Sequence, residues 1–219
     1  MATERFTKAH LLAVASTVAF LALAAIVATG LTQGLDDRLR QVFRPNDVWG
    51  NPWQVILGPV TDGLAPPFAL GLLAVAGIIA AIRRKSRRPV VYVAVLAVVA
   101  VLITQVSKAI LQRPDPHGHV GMLSGSYPSG HMVILLVVLG GAALVLWEKP
   151  PRWVWWLIVV AELTMGLSLL VLTMHWFTDV VGGGLLAVPV VVFANSPRFL
   201  GPVHRTARPT AVDPVGSPT

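Results

Sequence analysis

Two short polar segments of this 219-residue chain carry the side chains best suited to chemistry. The later segment, HWFTD, holds His175 and Asp179 at the i, i+4 spacing that places two side chains on one face of a helix. A carboxylate bonded to one ring nitrogen fixes the tautomer and makes the other nitrogen a better nucleophile or base. The spacing therefore predicts an activated histidine at this point in the chain.

The earlier segment, KAILQRPDPHGHVGMLSGSYPSGH, places a second histidine next to a candidate anion site. Lys108 and Arg113 supply positive charge, and a long apolar run that begins at His131 predicts a helix. A helix N-terminus offers unpaired N–H groups and the positive end of the helix dipole. Ser129 can cap that helix or donate to a phosphate oxygen, and Gly130 lets an anion approach the backbone. Two histidines beside such a site predict phosphoryl transfer, in which one attacks phosphorus and the other protonates the leaving oxygen.

The composition is that of a membrane protein. Hydrophobic residues make up 55% of the chain, charged residues only 12%, and the mean hydropathy is +0.72. Soluble domains carry about 25% charged residues. There is no cysteine, which excludes disulfides and thiolate metal sites. The formal charge of +7 is typical of basic cytoplasmic loops that meet anionic lipid, so no nucleic-acid partner is expected.

Six apolar runs approach the roughly 20 residues that a helix needs to cross a bilayer. They cover residues 9–32, 66–82, 89–107, 131–147, 153–173 and 178–195. We interpret the first as a retained helix and not as a cleaved signal peptide. The predicted fold is an all-α bundle of six transmembrane helices, with one domain over residues 1–195 and a disordered cytoplasmic tail over 196–219. Residues 33–64 mix polar and aromatic side chains, which favours an amphipathic stretch at the interface.

The distribution of basic residues predicts the orientation. With both termini cytoplasmic, twelve of the 17 lysines and arginines fall on the cytoplasmic side, including the run RRKSRR at 83–88. We interpret that run as a topology anchor. The loop 108–130, the turn around His175 and the stretch 33–64 then share the outer side. The sequence therefore predicts that both polar segments form one site at the outer face.

The motifs resemble those of a known family. PSGH at 128–131, HxxxD at 175–179 and a lysine followed by RP within 108–114 are similar to the three signature motifs of the type 2 phosphatidic acid phosphatase (PAP2) superfamily, membrane branch. The resemblance implies that His175 forms a phosphohistidine, that Asp179 orients it and that His131 is the general acid. It implies that Lys108, Ser129 and Gly130 hold the phosphoryl oxygens. It implies neither a metal nor another cofactor.

Two expected arginines are missing from these motifs. Asp115 stands where the first motif usually has its arginine, and Leu169 follows Ser168 where the third motif usually has Ser-Arg. A hydrogen bond to a charged group contributes roughly 1.5–3 kcal/mol, so their loss bears on catalysis. Arg113 is the remaining arginine that we expect to bind the phosphate in part. Asp115 would repel a phosphate unless Arg113 or a nearby histidine neutralises it.

These features leave two functions open. One is a metal-independent lipid phosphatase acting on a polyprenyl (di)phosphate, phosphatidic acid or phosphatidylglycerophosphate at a bacterial inner membrane. The other is a catalytically degenerate relative that binds a lipid phosphate or a membrane partner without hydrolysis. The joint presence of His131, His175 and Asp179 favours the enzyme. The sequence carries no signal for an oligomeric state.

Three further interpretations are weaker. Lys108 and Arg113 could be snorkelling residues at a helix end. DPHGH, with Asp115, His117 and His119, could bind a metal, but three ligands this close in one loop more often form a solvated turn. A transporter is disfavoured, because the polar groups cluster at one face and no paired interrupted helices are present.

Overall fold

The computed structural model describes residues 2–120 and 125–204. Over these residues the chain forms nine α-helices and one 3₁₀ helix, without a strand. The helices are α1 (Ala2–Ala28), α2 (Gln33–Phe43), α3 (Pro52–Gly63), α4 (Pro66–Arg84), α5 (Arg88–Leu111), α6 (Gly130–Leu146), α7 (Arg152–Val171), α8 (Phe177–Ala194) and α9 (Pro197–His204). The 3₁₀ helix, Pro45–Asp47, lies between α2 and α3.

Each of the six predicted spans corresponds to one helix of this bundle. Within the described residues, α1, α4, α5, α7 and α8 are long and apolar enough to cross a membrane, whereas α6 is apolar but has only 17 residues. The prediction of an all-helical, multi-pass membrane protein is therefore confirmed. The crossing of α6 and the placement of the site on the outer side stay predictions.

The shorter helix α6 forms the centre of the bundle. It packs against α4, α5, α7 and α8, while α1 lies on the outside of α8. Most of its side chains are buried, and Val133, Val137 and Leu144 belong to the main apolar core. A helix that is buried all round needs no polar face, which explains its uniformly apolar sequence.

The stretch that joins α1 to α4 covers one end of the bundle. It forms α2 and α3, which pack against α7, and α2 also contacts α8. Gln54 of α3 donates a hydrogen bond to the Val171 carbonyl at the C-terminus of α7 (3.5 Å). The ends of α5 and α7 and the starts of α6 and α8 meet here, and we call this the site end. The opposite end, where the loop 85–87, the C-terminus of α6 and α9 meet, is the basic end.

The predicted disordered tail begins too early. Residues 197–204 form α9, in which Leu200 and Val203 are buried in the core. His204 is hydrogen-bonded through Nε2 to the Leu144 carbonyl (3.0 Å). The boundary at residue 195 is therefore wrong as far as His204, because a short amphipathic helix finds an apolar surface at the basic end. The rest of the predicted tail, 205–219, lies outside the described residues.

Candidate active site

Helix termini bring the polar segments together at the site end. Helix α5 ends at Leu111, where Gln112 adopts a left-handed conformation (φ 42°) and Pro114 then prevents helical continuation. The chain returns to start α6 at Gly130, one residue after its N-cap Ser129. The turn between α7 and α8 carries His175 beside that N-terminus.

His175 and Asp179 make the contact that their spacing predicts. His175 Nδ1 lies 3.4 Å from Asp179 Oδ2, and the backbone N–H of Trp176 donates to the same oxygen (3.0 Å). His175 is not itself helical, because α8 begins two residues later at Phe177. Asp179 is the third residue of α8, and its carboxylate reaches back over the start of the helix. These two contacts fix the Asp179 carboxylate. Nε2 of His175, the ring nitrogen that points away from Asp179, has no hydrogen-bond partner among the described residues.

His131, the second residue of α6, faces His175. The ring centroids are 6.0 Å apart and the ring planes are inclined at 72°. Within the described structure neither ring is hydrogen-bonded to the other. The side chain of His175 is only 10% exposed and His131 is half-buried, so the two imidazoles are partly shielded from solvent at the start of α6. Two separated imidazoles can act on opposite sides of one reacting group.

The N-terminus of α6 offers donors that the described residues do not use. The backbone N–H of Ser129 donates to the Asp179 carbonyl (3.0 Å), but its side chain makes no capping bond. The Ser129 hydroxyl oxygen is buried and has no partner among the described residues. A buried polar group without a partner is costly, and a bound anion would satisfy it. The first N–H groups of α6 add to the same anion site.

Lys108 lies beside this N-terminus and is held by the backbone. Its ammonium group donates to the Gly125 carbonyl (2.6 Å). Gly125 packs so closely on the end of α5 that an added Cβ would lie 3.0 Å from the Lys108 carbonyl oxygen. A Cβ added to Gly130 would lie 3.7 Å from the Lys108 Cε, so the lysine side chain lines the start of α6. The structure thus brings Lys108, Ser129 and Gly130 together, as the sequence predicts.

Arg113 lies among acidic side chains of the protein. Its guanidinium is 8% exposed and forms ion pairs with Asp179 (2.7 Å) and Asp36 (2.6 Å). The Nη1 group also donates to the Thr178 hydroxyl (2.7 Å). The structure therefore shows Arg113 bound to the protein's own carboxylates, and its predicted contact with a phosphate stays a prediction.

Asp36 is the residue of the site that the sequence reasoning missed. It lies on α2 with a fully buried carboxylate, which accepts hydrogen bonds from the Thr178 backbone N–H (3.0 Å) and hydroxyl (2.7 Å). Asp36 thereby joins α2 to the first turn of α8. The neighbouring Asp37 is exposed and only accepts a bond from Gln33. Nothing in the local pattern separates the two acids, since Arg113 is 77 residues away in the chain.

Aromatic side chains cover this ion-pair network. The Trp176 indole N–H donates to the Pro114 carbonyl (2.9 Å), and the Arg113 guanidinium carbon lies 5.3 Å from the centre of a Trp176 ring. Tyr127 is fully buried, and this burial, with the nearby Asp179 carboxylate, raises the pKa of its hydroxyl. The tyrosine hydroxyl therefore stays neutral, and it donates a hydrogen bond to the Phe20 carbonyl (3.4 Å).

Two glycines of α8 let the PSGH segment approach. A Cβ added to Gly182 would lie 2.6 Å from the Tyr127 ring, and one added to Gly183 would lie 2.6 Å from the Ser129 carbonyl oxygen. Nothing lies within 4 Å of a Cβ added to Gly184. Because Gly182 and Gly183 have no side chains, α8 can lie close to the start of α6.

The positions of the two missing arginines differ in surroundings. Leu169 is completely buried in an apolar cluster with Met132, Met165 and Val180, so a guanidinium would have no solvated space there. Asp115 lies in the loop after α5. Its burial opposes ionisation, but the backbone N–H groups of His119 and His117 outweigh it and hold the pKa of the carboxyl below its usual range.

The segment DPHGH forms a local turn. Asp115 Oδ1 accepts the backbone N–H groups of His117 (2.8 Å) and His119 (2.9 Å). Over residues 2–120 and 125–204, no three His, Cys, Asp or Glu side chains are placed to share a metal ion. The turn interpretation of this segment therefore fits the geometry.

A known family matches the part of the chain that carries most of these residues. The sequence model of the PAP2 superfamily matches residues 88–196, which run from the start of α5 to the end of α8. The chain carries a PAP2 superfamily domain. Lys108, His131, His175 and Asp179 all lie inside the PAP2 domain, whereas Asp36 lies outside it.

Two known proteins are similar to this chain. An undecaprenyl-diphosphatase of Sulfolobus acidocaldarius is 26% identical over 130 residues, which cover 56% of this chain and 61% of that protein. The chain thus spans about three fifths of that curated relative. The crystal structure of a transmembrane PAP2 type phosphatidylglycerolphosphate phosphatase from Bacillus subtilis matches with a TM-score of 0.72 at 25% identity. That match covers 83% of this chain and 93% of the solved one, so the two share a transmembrane fold.

Proposed function

We propose that the protein is a metal-independent lipid phosphatase that works through a phosphohistidine on His175. One observation carries the proposal: the Asp179-bound imidazole of His175 faces His131 across the unsatisfied N-terminus of α6, with ring centroids 6.0 Å apart. The names of the two similar proteins, a diphosphatase and a phosphatase, support the same reaction class.

In the first step His175 attacks phosphorus. Asp179 accepts the hydrogen bond from Nδ1–H, so the lone pair on Nε2 forms the new N–P bond. The bond between phosphorus and the leaving oxygen breaks, and protonated His131 gives that oxygen its proton. In the second step His131 takes a proton from water while the water oxygen attacks phosphorus. The N–P bond breaks, and phosphate and free His175 are released.

Fixed hydrogen-bond donors would stabilise the negative charge on the phosphoryl oxygens. These are the Lys108 ammonium, the Ser129 hydroxyl and the N–H groups at Gly130 and beyond. Preorganised donors in a desolvated site stabilise a transition state more than mobile water does. The unpartnered Ser129 hydroxyl supports this assignment. Arg113 acts as a positioning residue in this proposal, because it is bound to Asp179 and Asp36.

The substrate is proposed to be a lipid phosphate. Helices surround the site on its membrane side, so an acyl or prenyl chain could remain in the bilayer while its head group reaches His175. A polyprenyl (di)phosphate, phosphatidic acid and phosphatidylglycerophosphate all fit this description. We place the site on the outer side of a bacterial inner membrane with both termini cytoplasmic, from the distribution of basic residues.

A second candidate function is supported by the burial of Leu169. With no arginine at this position, the site has fewer cations than the family motif supplies, and a lipid-phosphate binder without hydrolysis would need fewer. The paired His175 and Asp179 favour the phosphatase, since a binder requires no oriented nucleophile.

The test is phosphate release by the purified protein from a panel of lipid phosphates, with EDTA present throughout. We expect release by the unmodified chain and by His119→Ala, whose ring is 81% exposed. We expect none above background from His175→Ala. Release that requires an added metal would contradict the mechanism. If no lipid is hydrolysed, while folded protein and His175→Ala bind it equally, the binder is the correct function.

A further inference from the structure

We propose that a groove at the basic end binds an anionic phospholipid of the adjacent leaflet. The groove has a volume of about 730 Å³ and lies between α1, α5, α8 and α9. Its long wall is formed by Val91, Val95 and Val99 of α5, opposite Val190 and Phe193 of α8. It is separate from the site end and contains no residue of the proposed mechanism.

The wall of the groove suits a hydrocarbon chain. Two polar side chains line it apart from the arginines, and both are already satisfied. Thr17 donates to the Ala13 carbonyl (2.8 Å), and Tyr92 donates to the Ala194 carbonyl (3.0 Å). A chain entering the groove would therefore leave no polar group of the wall without a partner, which is the condition for favourable apolar burial.

The mouth of the groove supplies the charge. Arg87 and Arg88 line it, and both are exposed. Arg88 Nη1 donates to the Pro202 carbonyl (3.2 Å), which fixes the side chain against α9. The side chain of Arg87 has no hydrogen-bond or ion-pair partner within 2–120 and 125–204. Basic pockets at the ends of transmembrane helices attract anionic head groups, so the mouth favours a head group of net negative charge over a zwitterionic one.

The groove is long enough to hold one lipid chain. Along α5 the lining runs from Arg88 to Ile103, which at about 1.5 Å per residue is roughly 22 Å. One leaflet of the hydrocarbon core is about 15 Å thick. An acyl chain can therefore lie in the groove while its phosphate stays at the level of the two arginines. Helix α9 lines the same end of the groove with Phe199 and Val203.

The first experiment counts bound lipid on the full-length protein by native mass spectrometry after delipidation. The probes are phosphatidylglycerol and phosphatidylcholine with identical acyl chains. We expect one phosphatidylglycerol at concentrations where phosphatidylcholine does not bind. The double variant Arg87→Gln/Arg88→Gln should weaken that binding by about tenfold or more, as expected for two cations at a head group. Its matched control, Arg83→Gln/Lys85→Gln, removes the same charge from the same RRKSRR run but lies outside the groove, and should bind normally.

The second experiment fills the groove. Val95→Trp should abolish the bound lipid, whereas Val98→Trp, on an exposed part of α5 outside the groove, should leave it. Equal binding of the two lipids, or equal loss in both charge variants, would overturn the proposal. Loss of the lipid in Lys108→Ala would place it in the site end and would also overturn it. A change of oligomer mass in Val95→Trp would instead identify the groove as an interface between copies.

This inference does not depend on the proposed hydrolysis. A protein that releases no phosphate from any lipid can still bind phosphatidylglycerol in the groove. The reverse also holds, so the two proposals fail separately.

Discussion

The two ends of the helix bundle use arginine in opposite ways. At the site end Arg113 is almost completely buried and forms ion pairs with Asp36 and Asp179. At the basic end Arg83 and Arg87 are exposed and make no such pair with any described residue. An exposed charge costs little and acts through its sign, by attracting anionic lipid or fixing topology. A buried charge is costly unless it is paired, so its neighbours must be held in a defined geometry.

This difference indicates where the protein fixes its geometry. The buried network links α2, the loop after α5 and the start of α8, and its central member Asp179 also binds His175. The network therefore connects the packing of three segments to the orientation of one imidazole. No described contact at the basic end joins charged side chains in this way, so changes there should affect neither the fold nor the reaction strongly.

The largest effect on activity is expected from substituting Asp179, one of the two carboxylates that are paired with Arg113. Asp179→Asn should lower the rate of phosphate release by roughly 10²–10⁴-fold, because an amide fixes the His175 ring less well and no longer stabilises its positive charge. Asp36→Asn keeps the contact between Asp179 and His175 and should lower the rate by less than about tenfold. Steady-state rates for both, normalised to folded protein, make the comparison. Equal losses would mean that Asp179 acts only through the fold.

Removal of the shared cation should affect stability most. Arg113→Gln leaves Asp36 and Asp179 as buried carboxylates without their counter-ion, and breaking such a pair typically costs about 3–5 kcal/mol. We expect the midpoint of thermal unfolding in detergent to fall by roughly 10 °C. If Arg113 instead binds the phosphate, the midpoint will stay near that of the unmodified chain and KM will rise. Thermal unfolding and KM together therefore distinguish the two roles.

Hydropathy was sufficient to predict the membrane fold, and the three motifs predict the histidines and the lysine that the fold brings close together. Long apolar runs predict helices reliably, because lipid leaves few other ways to satisfy the backbone. The motifs PSGH and HxxxD contain His131 and His175, the two histidines that the fold brings together. The i, i+4 spacing predicted the contact between His175 and Asp179 by assuming that both residues are helical. The contact forms in another way, because His175 precedes α8 and the Asp179 side chain reaches back to it.

The rest depended on tertiary contacts that one sequence does not display. Asp36 belongs to the site and Asp37 does not, because Arg113 binds Asp36. Arg113 approaches α2 only in the folded bundle. Residues 197–204 looked like a polar tail, but the apolar surface of α5, α6 and α8 at the basic end gives Leu200 and Val203 a place to pack. Leu169 could be recognised as a departure from the motif, but its burial among Met132, Met165 and Val180 could not.

A smaller effect is expected from the glycines that set the spacing of the site end. Gly183→Ala would place a Cβ 2.6 Å from the Ser129 carbonyl oxygen and 2.8 Å from the Met132 Cβ, so α8 or α6 must shift. Overpacking of this kind costs typically about 1–3 kcal/mol, and it should also lower phosphate release, since Ser129 moves with the strain. Gly184→Ala meets nothing within 4 Å and should be neutral or slightly stabilising, as alanine favours a helix. Similar losses in both variants would contradict the packing role of Gly183.

The smallest effect is expected from an arginine at the basic end. Arg83→Gln removes an exposed guanidinium with no partner among the described residues, so the midpoint of thermal unfolding should change by less than about 2 °C. Phosphate release in detergent should be unchanged, in contrast to Arg113→Gln. The measurement is a side-by-side melt and assay of the two variants, which remove the same group. A large loss in Arg83→Gln would show that the basic end also carries structural charge, and the contrast between the two ends would then fail. If only insertion or orientation in cells changes, the residue acts through topology, as its exposure predicts.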